Sequence, residues 1–289
     1  MKRLINGLLT LFIAFMFCGC NSSAETFHLE ANGRGRIESL KDLSNSWPML
    51  QMTFMSQMQQ LENEDPAPSF LLDLFAQSSF DTTVSFVEVF SALGVASGEE
   101  PIDAMGFIDK FSGDPETEGA SAEVNNTLLG LLVSTDLRFQ GDSESSTYSM
   151  TSIQYFSDLE ELAALEQDLN NISEMELDTS IEDVAMMTDV VSGVLGGSPI
   201  YRLEGDILYV SRPPQAELDA GMGPDAVMAM QAMSGATQDY SLNLQLPGRI
   251  KSVSRDAEIN KRAGTVEVTI PAAEVENGFA FEVIFKARR

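Results

Sequence analysis

Three short runs near the end of the chain alternate apolar and polar residues without a break. Leu242, Leu244 and Leu246 alternate with Ser241, Asn243 and Gln245; Val266, Val268 and Ile270 follow the same rule, as do Phe279, Phe281, Val283 and Phe285. A period of two puts every apolar residue of such a run on one side of an extended strand. Each run therefore predicts a half-buried strand with one face on a core. Thr26 to Ala31 reads as a further strand, Asn32-Gly33 as a hairpin turn, and Gly35 to Leu40 as the returning strand. Leu137 and Phe139, then Tyr148 and Met150, then Ile153 and Tyr155 in the opposite phase, predict a hairpin with a polar turn at Gly141-Asp142-Ser143-Glu144 and a bulge in its second strand. Tyr201 to Val210 predicts a hairpin turning at Gly205-Asp206.

Between these runs the pattern is helical. Trp47 to Gln60 predicts a helix with Ser46 as cap and Pro48 in the first turn, and short helices fit 69–77 and 102–111. Ser157-Asp158-Leu159-Glu160 is a capping box that opens a helix with Leu159, Leu162, Leu165 and Leu169 on one stripe. Ile181 to Leu195 forms another, closed by Gly196-Gly197, and Met-rich helical sequence follows Pro213-Pro214. Thr82 to Phe90 fits either an extended segment or a helix start, and 94–123 is the least regular stretch. Hairpin, helix, hairpin, helix, then strands predicts an α+β fold: a mostly antiparallel sheet with helices packed on one face.

The N-terminus carries a different signal. Lys2 and Arg3 are followed by an uncharged run to Gly19, apolar from Leu8 to Phe17 apart from Thr10. A basic start and an apolar stretch of about ten residues have the form of a secretory signal and fall short of the ~20 residues a membrane span needs. Phe17-Cys18-Gly19-Cys20, followed by Asn21-Ser22-Ser23, resembles the lipobox of bacterial lipoproteins, with Phe17 in the place of the usual Leu. The resemblance implies cleavage after Gly19 and acylation of Cys20 by chains such as palmitate. Cys18 and Cys20 are the only cysteines, so no disulfide framework holds the body of the chain. Asn21, rather than Asp, after the lipidated cysteine implies the outer membrane, facing the periplasm or the exterior. The expected organisation is a signal peptide over 1–19, a lipidated tether over 20–25, and an α+β domain over 26–289, either one body or two lobes meeting near 141–146.

Charge narrows the partners. The chain has 44 acidic and 17 basic residues, and loss of Lys2 and Arg3 with the leader leaves 15 basic ones. So acidic a body is repelled by phosphate backbones and anionic lipid, which argues against nucleic acid. Its hold on a membrane must come from the acyl chains at Cys20, of which more than one is needed. The charge is uneven: between Asp42 and Tyr201 only Lys110 and Arg138 are basic, whereas ten of the seventeen basic residues lie from Arg202 onward. That acidic stretch reads as a solvated surface or as a face for a basic partner.

Catalytic side chains are scarce. His28 is the only histidine, and it lies on a predicted strand beside no nucleophile signature such as Gly-x-Ser-x-Gly. One histidine and no cysteine beyond Cys20 exclude the usual zinc sets, and no Gly-rich loop precedes a helix to cradle phosphate. Met49, Met52, Met55 and Met58 recur every three residues. Thioethers can bind Cu(I), but this spacing also makes an apolar helix face, and core packing is the better reading. The same holds for Met222, Met228, Met230 and Met233. Asp114-Pro115-Glu116-Thr117-Glu118-Gly119 resembles the start of a calcium loop, yet Asn125 stands where the bidentate Glu belongs. Carboxylate pairs such as Glu160-Glu161 and Glu182-Asp183 have only one tryptophan, Trp47, to build a sugar platform. The expectation is no catalytic residue, no metal and no cofactor.

One resemblance reaches into the body of the chain. Leu244-Gln245-Leu246-Pro247-Gly248-Arg249-Ile250-Lys251-Ser252-Val253 and Gly264-Thr265-Val266-Glu267-Val268-Thr269-Ile270 resemble envelope lipoproteins of the LppM-like kind. These have a strand ending in Leu-Pro-Gly, a polar stretch, then a Gly-Thr-Val strand. The hairpin from Phe27 to Ile37 is similar too, while a Trp common in that family near Thr269 is missing. The resemblance covers about a quarter of the chain and implies a lipid-anchored α+β domain with no catalytic residue to carry over. The expected function is that of a membrane-anchored, non-enzymatic binding module for a lipid or other apolar ligand. The alternative is an interaction lipoprotein whose acidic face engages another envelope protein.

Overall fold

The computed structural model describes residues 24–44, 47, 48, 51, 52, 77–95, 100–111, 130, 132–159, 162, 199–214 and 239–287. In chain order these hold β1 (Ala24–Leu29), β2 (Gly35–Asp42), β3 (Ser79–Ser85), α1 (Phe86–Val95), α2 (Ala104–Phe111), β4 (Thr135–Asp142), β5 (Thr147–Phe156), β6 (Ile200–Glu204), β7 (Ile207–Arg212), β8 (Tyr240–Gln245), β9 (Gly248–Val253), β10 (Glu258–Asn260), β11 (Thr265–Ile270), α3 (Ala272–Asn277) and β12 (Phe279–Ala287). The strands form an eight-stranded sheet in the order β10-β11-β8-β1-β2-β5-β4-β3 and a four-stranded sheet in the order β6-β7-β12-β9.

The α+β expectation is therefore overturned. Among the described residues the protein is mostly β, with two sheets and three short helices. Strand alternation shows that one face is buried but not what buries it. Here Phe27, Leu29 and Ile37 from β1 and β2, and Leu242, Leu244, Val266 and Val268 from β8 and β11, share one core with Leu208 and Val210 of β7, Ile250 of β9 and Phe281, Val283 and Phe285 of β12. A second sheet, rather than a layer of helices, covers the inner face, as in a sandwich. The helices predicted over 181–195 and after Pro214 lie outside the described residues, as do residues 69–76 of the one predicted over 69–77 and the end of the Leu159 helix beyond Leu162.

The chain divides into two compact units. The first holds the described residues between Asp42 and Thr151; the second holds β1 and β2 up to Lys41, the end of β5 from Ser152, and everything described from 199 onward. In the first unit, β3 pairs antiparallel with β4, Thr82 opposite Phe139. Trp47, Pro48, Gln51 and Met52 are helical, while the rest of the helix expected over Trp47–Gln60 lies outside the described residues; Trp47 stacks on Tyr148 at 4.8 Å, with Phe80 at 5.3 Å. The ambiguity at Thr82–Phe90 resolves into both readings in turn, because β3 passes directly into α1. Ser85 and Glu88 form the junction: Ser85 Oγ accepts from the Glu88 amide at 3.1 Å and Glu88 Oε2 accepts from the Ser85 amide at 2.8 Å, a capping box that sets the helix start. Asp103 caps α2 by accepting from the Gly106 amide at 2.8 Å.

In the second unit, β1 is a central strand, antiparallel to β2 and parallel to β8. The β1–β2 turn has Gly33 at φ 86°, a left-handed conformation glycine adopts freely. β6 and β7 make the hairpin expected at Gly205-Asp206. The polar stretch after Pro247 contains two strands the pattern concealed, β9 and β10. The bulge expected in β5 is not there as a change of phase: Met150, Ser152, Gln154 and Phe156 are buried in one continuous alternation while Tyr155 is 49% exposed. Two polar residues occupy the inner row, so hydrophobicity misreports which way that strand faces.

Candidate functional site

The least ordinary chemistry among the described residues is a polar cluster at one end of the second unit's core. Each strand that lines it buries a row of alternate residues, and at this end the rows finish in polar groups: Glu25 before Phe27 on β1, Ser39 and Lys41 after Ile37 on β2, Arg212 after Val210 on β7, and Tyr240 before Leu242 on β8. Tyr201 comes in from β6. All six are buried.

Glu25 is the hub. The ladder places it directly opposite Ser39, whose hydroxyl donates to Glu25 Oε2 at 2.8 Å. The Tyr201 hydroxyl donates a short hydrogen bond to Oε1, and the Tyr201 ring stacks on Phe27 at 4.1 Å. A charged carboxylate in a dry core survives only with such donors, and hydrogen bonds to a charge are about twice as strong as neutral ones. The Tyr240 hydroxyl approaches the same carboxylate without reaching hydrogen-bond geometry. Burial first, then Glu25, which repels the phenolate and attracts the phenol's proton, holds the Tyr240 pKa well above the usual 10, against an opposing pull from Arg212. Arg212 donates from Nη1 to the Val275 carbonyl at 3.0 Å, tying β7 to α3, which follows Pro271 at its N-cap and buries Val275. Arg255 lies over the Phe281 ring at 5.5 Å and pairs with Glu274 at 3.1 Å.

This arrangement holds together parts of the fold far apart in sequence. Glu25 is 1% exposed and Tyr201 is fully buried, so the cluster presents no open face to a substrate. The signal for it was present in the sequence: Glu25 sits in phase with Phe27 and Leu29, but a charged residue just before the predicted strand at Thr26 reads as tether.

The other sequence-predicted residues fall as follows. Cys20, the expected lipid attachment, lies outside the described residues; β1 opens four residues after it. His28 is half-buried, its Nδ1 2.9 Å from Gln245 Oε1. Met52 is 68% exposed, so core packing fails for that methionine; Met49, Met55, Met58 and the 222–233 cluster lie outside the described residues. The 114–125 loop, Glu160-Glu161 and Glu182-Asp183 lie outside them as well. Among the described residues no group of three or more His, Cys, Asp or Glu side chains is placed to hold a metal. No helix among them is long and apolar enough to cross a membrane. The segments that resemble LppM-like lipoproteins become β8, β9 and β11. Compared with family models, curated proteins and solved structures, the chain finds no match.

Proposed function

We propose that this chain is an outer-membrane lipoprotein, anchored by acyl chains on Cys20, whose β body is a non-enzymatic module that engages another component of the envelope through its surface. The observation that carries the reading is how soon after Cys20 the first described strand comes. Ala24 and Glu25 already belong to β1, a central strand, and Glu25 is clamped by Ser39 and Tyr201. Only Asn21, Ser22 and Ser23 separate Cys20 from that strand. A leader cut after Gly19 would leave every described strand intact, and an acylated Cys20 would hold the body close to the membrane.

The surface reading is preferred to enclosure of an apolar ligand because the second unit's inner faces pack on each other. Phe27 contacts the Tyr201 ring at 4.1 Å and the Phe156 ring at 5.8 Å, and Leu208, Leu242, Leu244 and Val283 are fully buried.

The test is the intact mass of the full chain expressed in a Gram-negative host and recovered from its membranes. The reading expects loss of residues 1–19, added acyl mass on Cys20, and release from the membrane in Cys20→Ala. An unprocessed chain starting at Met1, or a Cys20→Ala variant that stays in the membrane, overturns it.

A further inference from the structure

The outer face of the four-stranded sheet lies wholly in the second unit and sets charges of opposite sign on either side of an apolar centre. Leu208 and Val210 of β7 and Phe281, Val283 and Phe285 of β12 point inward, so the residues between them form that face. Register fixes its rows. Ile284 of β12 lies opposite Ile207 of β7 and Ser252 of β9, and Ile207 lies opposite Glu204 of β6. One row to one side, Glu282 lies opposite Tyr209, and Tyr209 opposite Arg202. One row to the other side, Lys286 lies opposite Arg249. Ile284 is 36% exposed, with Ile207 and Tyr209 partly buried beside it. Arg202 lies over the Tyr209 ring at 4.9 Å and pairs with Glu204 at 3.3 Å. An aliphatic and aromatic centre with an arginine at its margin and a charged rim is the composition of a protein–protein interface.

The charges on this face are not satisfied within the chain. Glu282 and Lys286 are exposed, and four residues apart on one strand they stand about 13 Å from each other, beyond ion-pair reach. Among the described residues neither has an ion pair. Arg249 directly opposite Lys286 is a like-charge pair, which works against the sheet, and Lys251 at the bulge adds a third cation on that side. The face as a whole is close to balanced. Arg202, Arg249, Lys251 and Lys286 stand against Glu204, Glu282 and Asp206 of the β6–β7 turn, with exposed Asp256 just beyond β9. A balanced rim gives no net attraction to a polyanion or to anionic lipid.

We propose that this face docks a second copy of itself, about a two-fold axis that crosses the strands at the level of Ile207 and Ile284. A half-turn about such an axis keeps each strand over its own counterpart and reverses the order of the rows. Ile284 then meets Ile284 of the second copy, and Glu282 meets Lys286 in both directions, which is the self-complementarity a two-fold interface requires. The Arg249–Lys286 pair gains an acid, and Arg202 comes over the turn that carries Asp206. Glu204, on the axis row, faces its own counterpart and is already paired with Arg202. Sheets packed face to face keep their strands within about 30° of each other, so the rows stay matched. Four strands about 4.8 Å apart, by the length from Ala280 to Lys286, give a footprint of roughly 400 Å². That is about half the area each partner gives to a standard interface, so the dimer is weak and forms with rising concentration. The proposal deepens the surface reading above by naming its occupant, and it makes no use of the anchor.

The test is sedimentation of the detergent-purified full chain over rising concentration, beside Glu282→Lys, Lys286→Glu, the exchange Glu282→Lys/Lys286→Glu, and Ile284→Asp. The expected result is a dimer that grows with concentration, is weakened about tenfold in each single charge variant, returns to within about threefold of the wild type in the exchange, and is lost in Ile284→Asp. Recovery in the exchange keeps the test decisive, because a second change does not repair a damaged fold. A chain that stays monomeric at every concentration, a dimer indifferent to these variants, or an exchange no stronger than the single changes overturns the proposal. Anchoring is read separately, from the mass of the same preparation, so either proposal can fail alone.

Discussion

Ser39 and Glu25 sit opposite each other on neighbouring strands and are joined by a 2.8 Å hydrogen bond from hydroxyl to carboxylate inside the core. Through Tyr201 the same carboxylate reaches a strand 176 residues away in sequence. The first described strand is thus locked to a strand from the later half of the chain.

Tyr201→Phe removes a donor from a buried carboxylate and should cost about 1.5–3 kcal/mol. Tyr240→Phe removes a hydroxyl that completes no hydrogen bond and should be neutral within about 0.5–1 kcal/mol, or stabilising. Hydrogen exchange of β1 peptides under native conditions separates the two; equal protection in both variants would contradict the clamp.

Alkaline stability should be governed in part by Tyr240. Its folded pKa lies well above 10, so between the unfolded and folded values the unfolded chain releases a proton that the folded one keeps. Stability is then fully present below about pH 10 and falls above it, by up to ~1.4 kcal/mol per pH unit from this group. Urea midpoints measured from pH 8 to 11 should fall less steeply in Tyr240→Phe than in the wild type.

Gly35→Ala should be much worse than Gly33→Ala. A Cβ at Gly35 would lie 2.0 Å from the His28 carbonyl oxygen and 2.4 Å from the Phe156 ring, and backbone cannot yield as a flexible side chain can. The cost should reach about 3 kcal/mol or more. Gly33 has open space around its Cβ position and pays only for its positive φ, about 1–2 kcal/mol. Similar thermal midpoints for the two variants would count against the register of the β1–β2 hairpin.

On the edge strand β3, Asp81 accepts two hydrogen bonds from Arg138, at 2.7 and 2.6 Å, and one from Gln140 at 3.1 Å. The Arg138 hydrogen bond is the main reason the Asp81 carboxyl titrates below its usual value. Because the folded pKa is depressed, the pair's contribution is present above the ordinary Asp value and lost as pH falls through the folded one. Asp81→Asn should speed hydrogen exchange in β3 at neutral pH, less so at high salt, and have no effect once wild-type Asp81 is protonated. An effect independent of pH and salt would refute the electrostatic account.

Much of the strand content was legible in the residues. Runs such as Val266–Ile270 and Phe279–Phe285 alternate because one face of each is buried, and the turns at Asn32-Gly33 and Gly205-Asp206 carry the residues their backbones demand. The polar cluster was less so, because Glu25, Lys41 and Arg212 look like surface residues until strand pairing puts them in phase with a core row. β9 and β10 escaped because Arg249, Lys251 and a β10 with no buried residue dilute the alternation.

The order of the residues alone determined where most of the extended segments lie and where several of them turn, and it holds an uncharged, largely apolar run from Leu4 to Gly19 just before Cys20. Those are local properties, set by side-chain period and backbone preference. Only the tertiary structure decided that a sheet rather than helices covers the inner face, that Glu25 is buried between Ser39 and Tyr201, and that Arg249 lies opposite Lys286. Each depends on which strands become neighbours. A strand's own pattern says that it has a partner, but the identity of that partner depends on contacts made hundreds of residues away.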